Sequence, residues 1–223
     1  MSGHRRAVRV FAIAVVLLVL AGAGLYASIP LLVGPAPAPL GLPAPAASGG
    51  TSASLIQGTW VAATGSMAGY RVRASILGQG GDVVGRTSTV SGTVVSAGNA
   101  VVSASMSVDL TTIEQGGKPQ PQLAKVIDTV ADPNATFTLG APVALGSTPV
   151  IGKTFTVRAT GLLVMDGASH SVNASLTARD DGTSLAVVGS IPILFSDWGI
   201  VAPWGLENHG AIEFLLILAR SGQ

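Results

Sequence analysis

The sequence predicts an all-β, mainly antiparallel protein, a closed barrel or sandwich with one helix, preceded by a transmembrane helix at the N-terminus. Three observations lead there. A period of two dominates the last three quarters of the chain, one stretch alone has helical spacing, and a long uncharged apolar run stands just behind three arginines. Composition agrees: of 223 residues 48% are hydrophobic but only 10% charged and 4% aromatic, with 29 glycines. An average soluble chain has roughly 25% charged residues, so charge is depleted and disorder throughout is excluded. So many small residues make poor material for a long-helix bundle. A formal charge of +1 lacks the basic footprint of a nucleic-acid binder. The absence of cysteine rules out disulfides, thiolate metal sites, cysteine nucleophiles and a lipidated N-terminal cysteine.

Residues 1–9 form a basic segment with Arg5, Arg6 and Arg9, and no Asp, Glu, Lys or Arg follows until Arg71. Residues 10–33 are apolar throughout and exceed the ~20 residues a helix needs to cross a bilayer. Because the arginines flank only the N-terminal side, residues 1–9 are expected in the cytoplasm and everything after Val33 outside the cytoplasmic membrane. A cleaved signal peptide is the competing reading, with Ala21-Gly22-Ala23 as its cleavage site and a secreted product as its consequence. Residues 34–53 are rich in Pro, Ala and Gly and read as an extended linker. The working domain is then 54–223. Its nine Lys and Arg against eleven Asp and Glu leave it at −2.

Within that domain, Gly58–Thr64, Tyr70–Leu77, Val84–Ser96, Asn99–Leu110 and Asn134–Leu139 alternate apolar with polar residues, as half-buried strands do. On the fourth, Val102, Ala104, Met106 and Val108 are expected to face inward. Lys153–Asp166 and Ser169–Arg179 repeat the pattern around Asp166-Gly167, a hairpin signal. Ser184–Leu194 and Ala211–Ala219 complete nine strands. The stretch 120–131, introduced by Pro119 and Pro121, sets Leu123, Val126, Ile127 and Val130 on one helical stripe. An eight-stranded barrel encloses room for a small or elongated ligand, and the inward faces are almost wholly apolar.

Several segments carry a further signal in their order: Trp60 in GTW, Gly69-Tyr70-Arg71-Val72, Val84-Gly85-Arg86-Thr87, Ser107 to Thr112, Ala135 to Leu139, the hairpin Ala159 to Gly167, and Gly189 to Ile193 followed by Ser196-Asp197-Trp198-Gly199-Ile200. Over about 57–220 the chain resembles the YceI-like proteins. The resemblance implies a lipocalin-like up-and-down β-barrel with one helix closing its side, an apolar channel for a polyisoprenoid or other long-chain apolar lipid, and export to the bacterial envelope. Two departures stand out. Where many members carry a His and a following basic residue around the hairpin turn, this chain has Asp166 and His170. Gly116-Gly117-Lys118-Pro119-Gln120 stands where an Arg-Asp pair is usual. A chain with a small or neutral head suffers least from both changes.

Catalysis finds no candidate. No Gly-x-Ser-x-Gly elbow is present, and the exported part offers His170 and His209 without a third His or a Cys for a metal. Gly78-Gln79-Gly80-Gly81-Asp82 lacks the lysine and the βαβ context of a nucleotide loop, and Asp180-Asp181-Gly182 reads as a β-turn. The expected function is therefore non-enzymatic, without cofactor: a membrane-anchored, extracytoplasmic carrier, store or sensor of a long apolar chain. The alternative is an envelope interaction module with a filled barrel core. The expected lining is Val72, Met106, Val108, Phe137, Leu139, Val172, Leu176, Phe214 and Leu216, with Trp198 and Trp204 as plug or gate at the mouth.

Overall fold

The computed structural model describes residues 36–45, 56–76, 79–120, 123 and 126–222. The apolar segment 10–33 and its basic flank lie outside them, and among the described residues no helix is long and apolar enough to cross a membrane. Thirteen strands follow one another: β1 (Gly58–Ala62), β2 (Met67–Ile76), β3 (Gln79–Thr87), β4 (Val90–Ala97), β5 (Ala100–Asp109), β6 (Glu114–Gln115), β7 (Lys118–Pro119), β8 (Asn134–Leu139), β9 (Val143–Ala144), β10 (Thr154–Met165), β11 (Ala168–Asp180), β12 (Ser184–Leu194) and β13 (Leu206–Arg220). Every pairing is antiparallel.

β1 and β2 run end to end along β13, and β3 and β4 run end to end along β2 and β1. Counted so, eight positions circle the barrel in chain order and the first meets the last, so the sheet closes as an up-and-down barrel. Closure removes the edges that would otherwise invite pairing with other chains. The two interruptions have local causes. Between β1 and β2, the buried Ser66 takes the place of a ladder residue: its hydroxyl donates to Ile217 O at 3.2 Å and accepts from Ile217 N at 3.0 Å. The expected single strand Val84–Ser96 breaks at Ser88 and Thr89, because the Thr87 hydroxyl accepts from Thr89 N at 2.9 Å and meets the Thr112 hydroxyl at 2.6 Å. Val102, expected inward, is 39% exposed. A register shift pairs Val95 with Ser103 but Ser96 with Val101, leaving Val102 as the extra residue of a bulge.

Asp166-Gly167 makes the expected two-residue turn, with Asp166 at φ 52 and Gly167 at φ 70 joining Met165 to Ala168. The helix over 120–131 is shorter than expected: 121, 122, 124 and 125 lie outside the described residues, and 126–131 are not helical. Of its described residues, Leu123 makes a single helical turn, its O accepting from Val126 N at 2.9 Å and Ile127 N at 3.0 Å. From Asp128 on the chain is in turns, in which Asp128 Oδ1 accepts from the backbone of both Val130 and Ala131. That local side-chain bonding competes with a helical ladder. Leu123, Val126 and Ile127 still face the interior, but Val130 is 89% exposed.

The lower end, where β4 turns into β5, is filled. Trp60 is 1% exposed, donates its indole N–H to Ile56 O at 2.8 Å, carries the Arg220 guanidinium 4.7 Å from its ring centroid, and packs with Leu145, Leu185, Leu216 and Leu218. Residues 36–45, expected as part of a spacer, lie along the barrel wall. Arg71 donates to Pro37 O at 2.9 Å, Arg86 donates to Ala38 O, and Arg179 donates to Pro43 O at 2.9 Å. Arg179 is itself held by both carboxylate oxygens of Asp181, at 2.6 and 3.1 Å. Arg179→Ala removes the clasp at Pro43, so limited chymotryptic cleavage at Leu40–Gly41, the bond in 36–45 that follows a large apolar residue and does not precede a proline, is expected to accelerate several-fold over wild type. An unchanged cleavage rate would show that the clasp does not hold the strap.

Candidate functional site: an apolar cavity in the barrel

Above the packed floor of Trp60 and Leu218 the barrel is hollow. The cavity measures about 510 Å³, within the 300–1,000 Å³ range of ligand pockets. Alternation builds its wall. On β5, Ala104, Met106 and Val108 point in while Ser103, Ser105 and Ser107 do not, and β10 and β11 meet there through the paired Ala159 and Ala174. Small residues at these positions leave the space that larger ones would fill. The upper end is roofed by Leu110, Ile113 and Ile127 from the segment after β5, and by Phe195, Ile200 and Pro203 from the segment before β13.

Of the expected lining residues, Val72, Met106, Val108 and Phe137 contribute to this wall, as do Leu176, Phe214 and Leu216. Leu139 and Val172 do not. Both lie opposite Gly161, on β8 and β11, and the Phe137 ring lies over Gly161, where an added Cβ would run into it. The ring therefore stands in the space these two side chains share, and Val172 packs into the upper core instead. The two tryptophans part company. Trp198, in the short 3₁₀ turn Phe195–Trp198, is 5% exposed and meets the His170 ring edge-on at a centroid distance of 4.6 Å. It plugs the upper core. Trp204 is 81% exposed and packs against little. Asp166 fixes the roof from below, its Oδ1 accepting from Asp128 N at 2.7 Å.

Sequence reasoning missed the roof residues Ile113, Phe195, Ile200 and Pro203, because their side chains come from irregular segments that have no period to read. It also missed Tyr70, which lies inward between Ala68 and Val72 and presses its ring on Gly85. Burial pushes the Tyr70 phenol above its ordinary range, so it stays protonated as a hydrogen-bond donor. Its stabilising contribution is whole below about pH 10, the unfolded value, and is lost as the pH rises through the higher folded value. Difference titration of tyrosinate absorbance between wild type and Tyr70→Phe, which leaves Tyr26, should therefore place Tyr70 above pH 10. A midpoint at or below 10 would contradict its burial.

The charged side chains described in the wall point outward. Glu213 accepts from Arg71 at 2.6 and 3.3 Å and from Arg86 at 3.4 Å, and Arg71 also donates to Asp82 at 2.9 Å. The hydrogen bond that Arg71 donates to Glu213, with help from Asp82, raises the Arg71 pKa; Asp181 does the same for Arg179.

A closed antiparallel barrel around a cavity whose described lining is almost wholly apolar defines a lipocalin-like architecture. The model of the YceI-like domain matches residues 60–216, and the chain belongs to that family. Two solved structures share the fold. A polyisoprenoid-binding domain from Saccharophagus degradans implicated in plant cell wall breakdown aligns with a TM-score of 0.55 at 16% identity, over 74% of this chain and 99% of that one. BcnA of Burkholderia cenocepacia aligns with a TM-score of 0.55 at 19% identity, over 68% and 95%. No curated protein sequence matches significantly.

Proposed function

We propose that this protein binds a polyisoprenoid or similar long apolar chain inside the barrel, as a carrier, store or sensor tethered outside the bacterial cytoplasmic membrane. The apolar cavity carries the reading. Burying ~400 Å² of chain at ~25 cal/mol per Å² supplies about 10 kcal/mol before ordering costs, enough for micromolar binding or better. The polyisoprenoid bound by the Saccharophagus domain supports the choice of ligand. The described lining is almost wholly apolar, which supports binding as the activity.

The tether is residues 10–33, with 1–9 inside the cell and the barrel of 54–223 outside. Only four residue steps lead from Val33 to Pro37, which Arg71 holds on the barrel wall. At ~3.3–3.6 Å per residue that spans at most ~14 Å, so the barrel rides close to the bilayer rather than at the end of a stalk.

Purified full-length protein, extracted with organic solvent and weighed by mass spectrometry, should release a stoichiometric long-chain lipid. An empty extract, together with failure to take up added polyprenols, would refute the carrier reading and leave an envelope module acting through its surface.

A further inference from the structure

Among the described residues lining the cavity, no side chain carries a charge. Polar side chains are supplied by Tyr70, Gln115 and Gln120. Thr136 also touches the cavity, but it alternates with Ala135 and Phe137 and pairs with the outward Ser107 and Val164, so its hydroxyl faces away. The other three gather around Ile113. Tyr70 and Ile113 both press on Gly85, where an added Cβ would come within 2.5 and 2.8 Å of them. Gln120 donates its backbone N–H to Ile113 O at 3.3 Å, and Gln115 follows Ile113 on the same inward face. None of the three side chains has a hydrogen-bond partner among the described residues.

Polar groups without protein partners at the edge of an apolar cavity would gain a hydrogen bond from a ligand oxygen placed there. A phosphate finds no such welcome. Buried, it would be a charge with no counter-charge. Arg71 and Arg86, on the strands that carry Tyr70 and Gly85, point outward into Glu213 and the strap carbonyls, and Arg73, also on β2, faces Asp82 at 3.7 Å. At the roof the exposed Glu114, Asp128 and Asp197, together with Asp166, would repel it, against the exposed Lys118 and the His170 ring stacked on Trp198.

We infer that the cavity selects chains ending in an uncharged oxygen, an alcohol or a carbonyl, received by Tyr70, Gln115 and Gln120, and rejects the phosphorylated forms of the same chains. This rests on the carrier reading above and names its ligand class.

The test is equilibrium binding of radiolabelled polyprenol and polyprenyl monophosphate of equal length, C20 and C55, to the full chain in detergent. The alcohol should bind at least about 100-fold more tightly. Tyr70→Phe combined with Gln115→Leu and Gln120→Leu should weaken the alcohol about 10-fold or more and narrow the difference. Lys125 lies outside the described residues, so Lys125→Gln is measured alongside and should leave the preference intact. Equal or tighter binding of the phosphate overturns the head-group inference while the carrier reading stands. A preference unchanged in the triple variant overturns the placement of the head. If neither lipid binds, the carrier reading itself fails.

Discussion

Replacing Ala174 with phenylalanine is expected to abolish chain binding while the barrel stays folded. Ala174 is 2% exposed, faces Ala159 across the β10–β11 pair, and lines the cavity with it. A benzyl group there has an empty interior to enter, so the usual overpacking cost of about 1–3 kcal/mol is largely avoided. It takes the volume that the lipid would occupy. Excluding ~200 Å² of apolar chain removes about 5 kcal/mol, and even half of that weakens binding roughly 100-fold. Ala104→Phe, from the β5 wall, should act likewise. The measurements are polyprenol binding and thermal unfolding in parallel. Full binding with a normal melting temperature would mean that the lipid does not lie in this cavity. A filled-core protein would show the reverse pattern: no binding to lose, and a clear loss of stability.

Trp60→Ala should produce the largest loss of stability of any single change in the barrel. The indole is essentially inaccessible, its N–H is satisfied by Ile56 O, and Arg220 lies over its face. Removing it opens a void in the lower core at a cost of about 3–5 kcal/mol. For a domain of this size that lowers the melting temperature by roughly 6–20 °C. Because Trp60 pins both the start of β1 and, through Arg220, the end of β13, the loss falls on the seam that closes the barrel. A shift under about 2 °C would show that the floor repacks and that closure is carried elsewhere.

Much of the barrel was legible because alternation is a one-dimensional signal. β10, β11 and β12 read almost residue for residue, and Asp166-Gly167 announced its turn, since a left-handed pair suits few other residues. Met106, Val108, Phe137, Leu176 and Phe214 could be placed inward from parity alone. Parity failed where a residue leaves the ladder. The bulge at Val102 depends on which partner residue stands opposite, a property of two strands together, and the break at Ser88 goes with the meeting of Thr87 and Thr112 from a distant segment. It failed again at Leu139 and Val172, whose inward direction was sound but whose space is taken by a ring from a neighbouring strand.

The apolar pattern over 120–131 suits a helix or a roof equally well. Only the bonds of Asp128 and the barrel end beneath it decide for turns from Asp128 onward. The strap is the sharpest case. A Pro-rich segment carries its carbonyls wherever it goes, and nothing local says that Arg71, Arg86 and Arg179, far apart in sequence, will align to receive them.

By itself, then, the sequence determined the all-β class, the strand faces, the apolar interior and the family resemblance, because side-chain period and local turn chemistry are written residue by residue. Tertiary structure alone decided which inward residues surround empty space, which polar groups gather around Ile113, and where 36–45 comes to rest. Those outcomes depend on how volumes and charges from distant segments meet once the barrel closes.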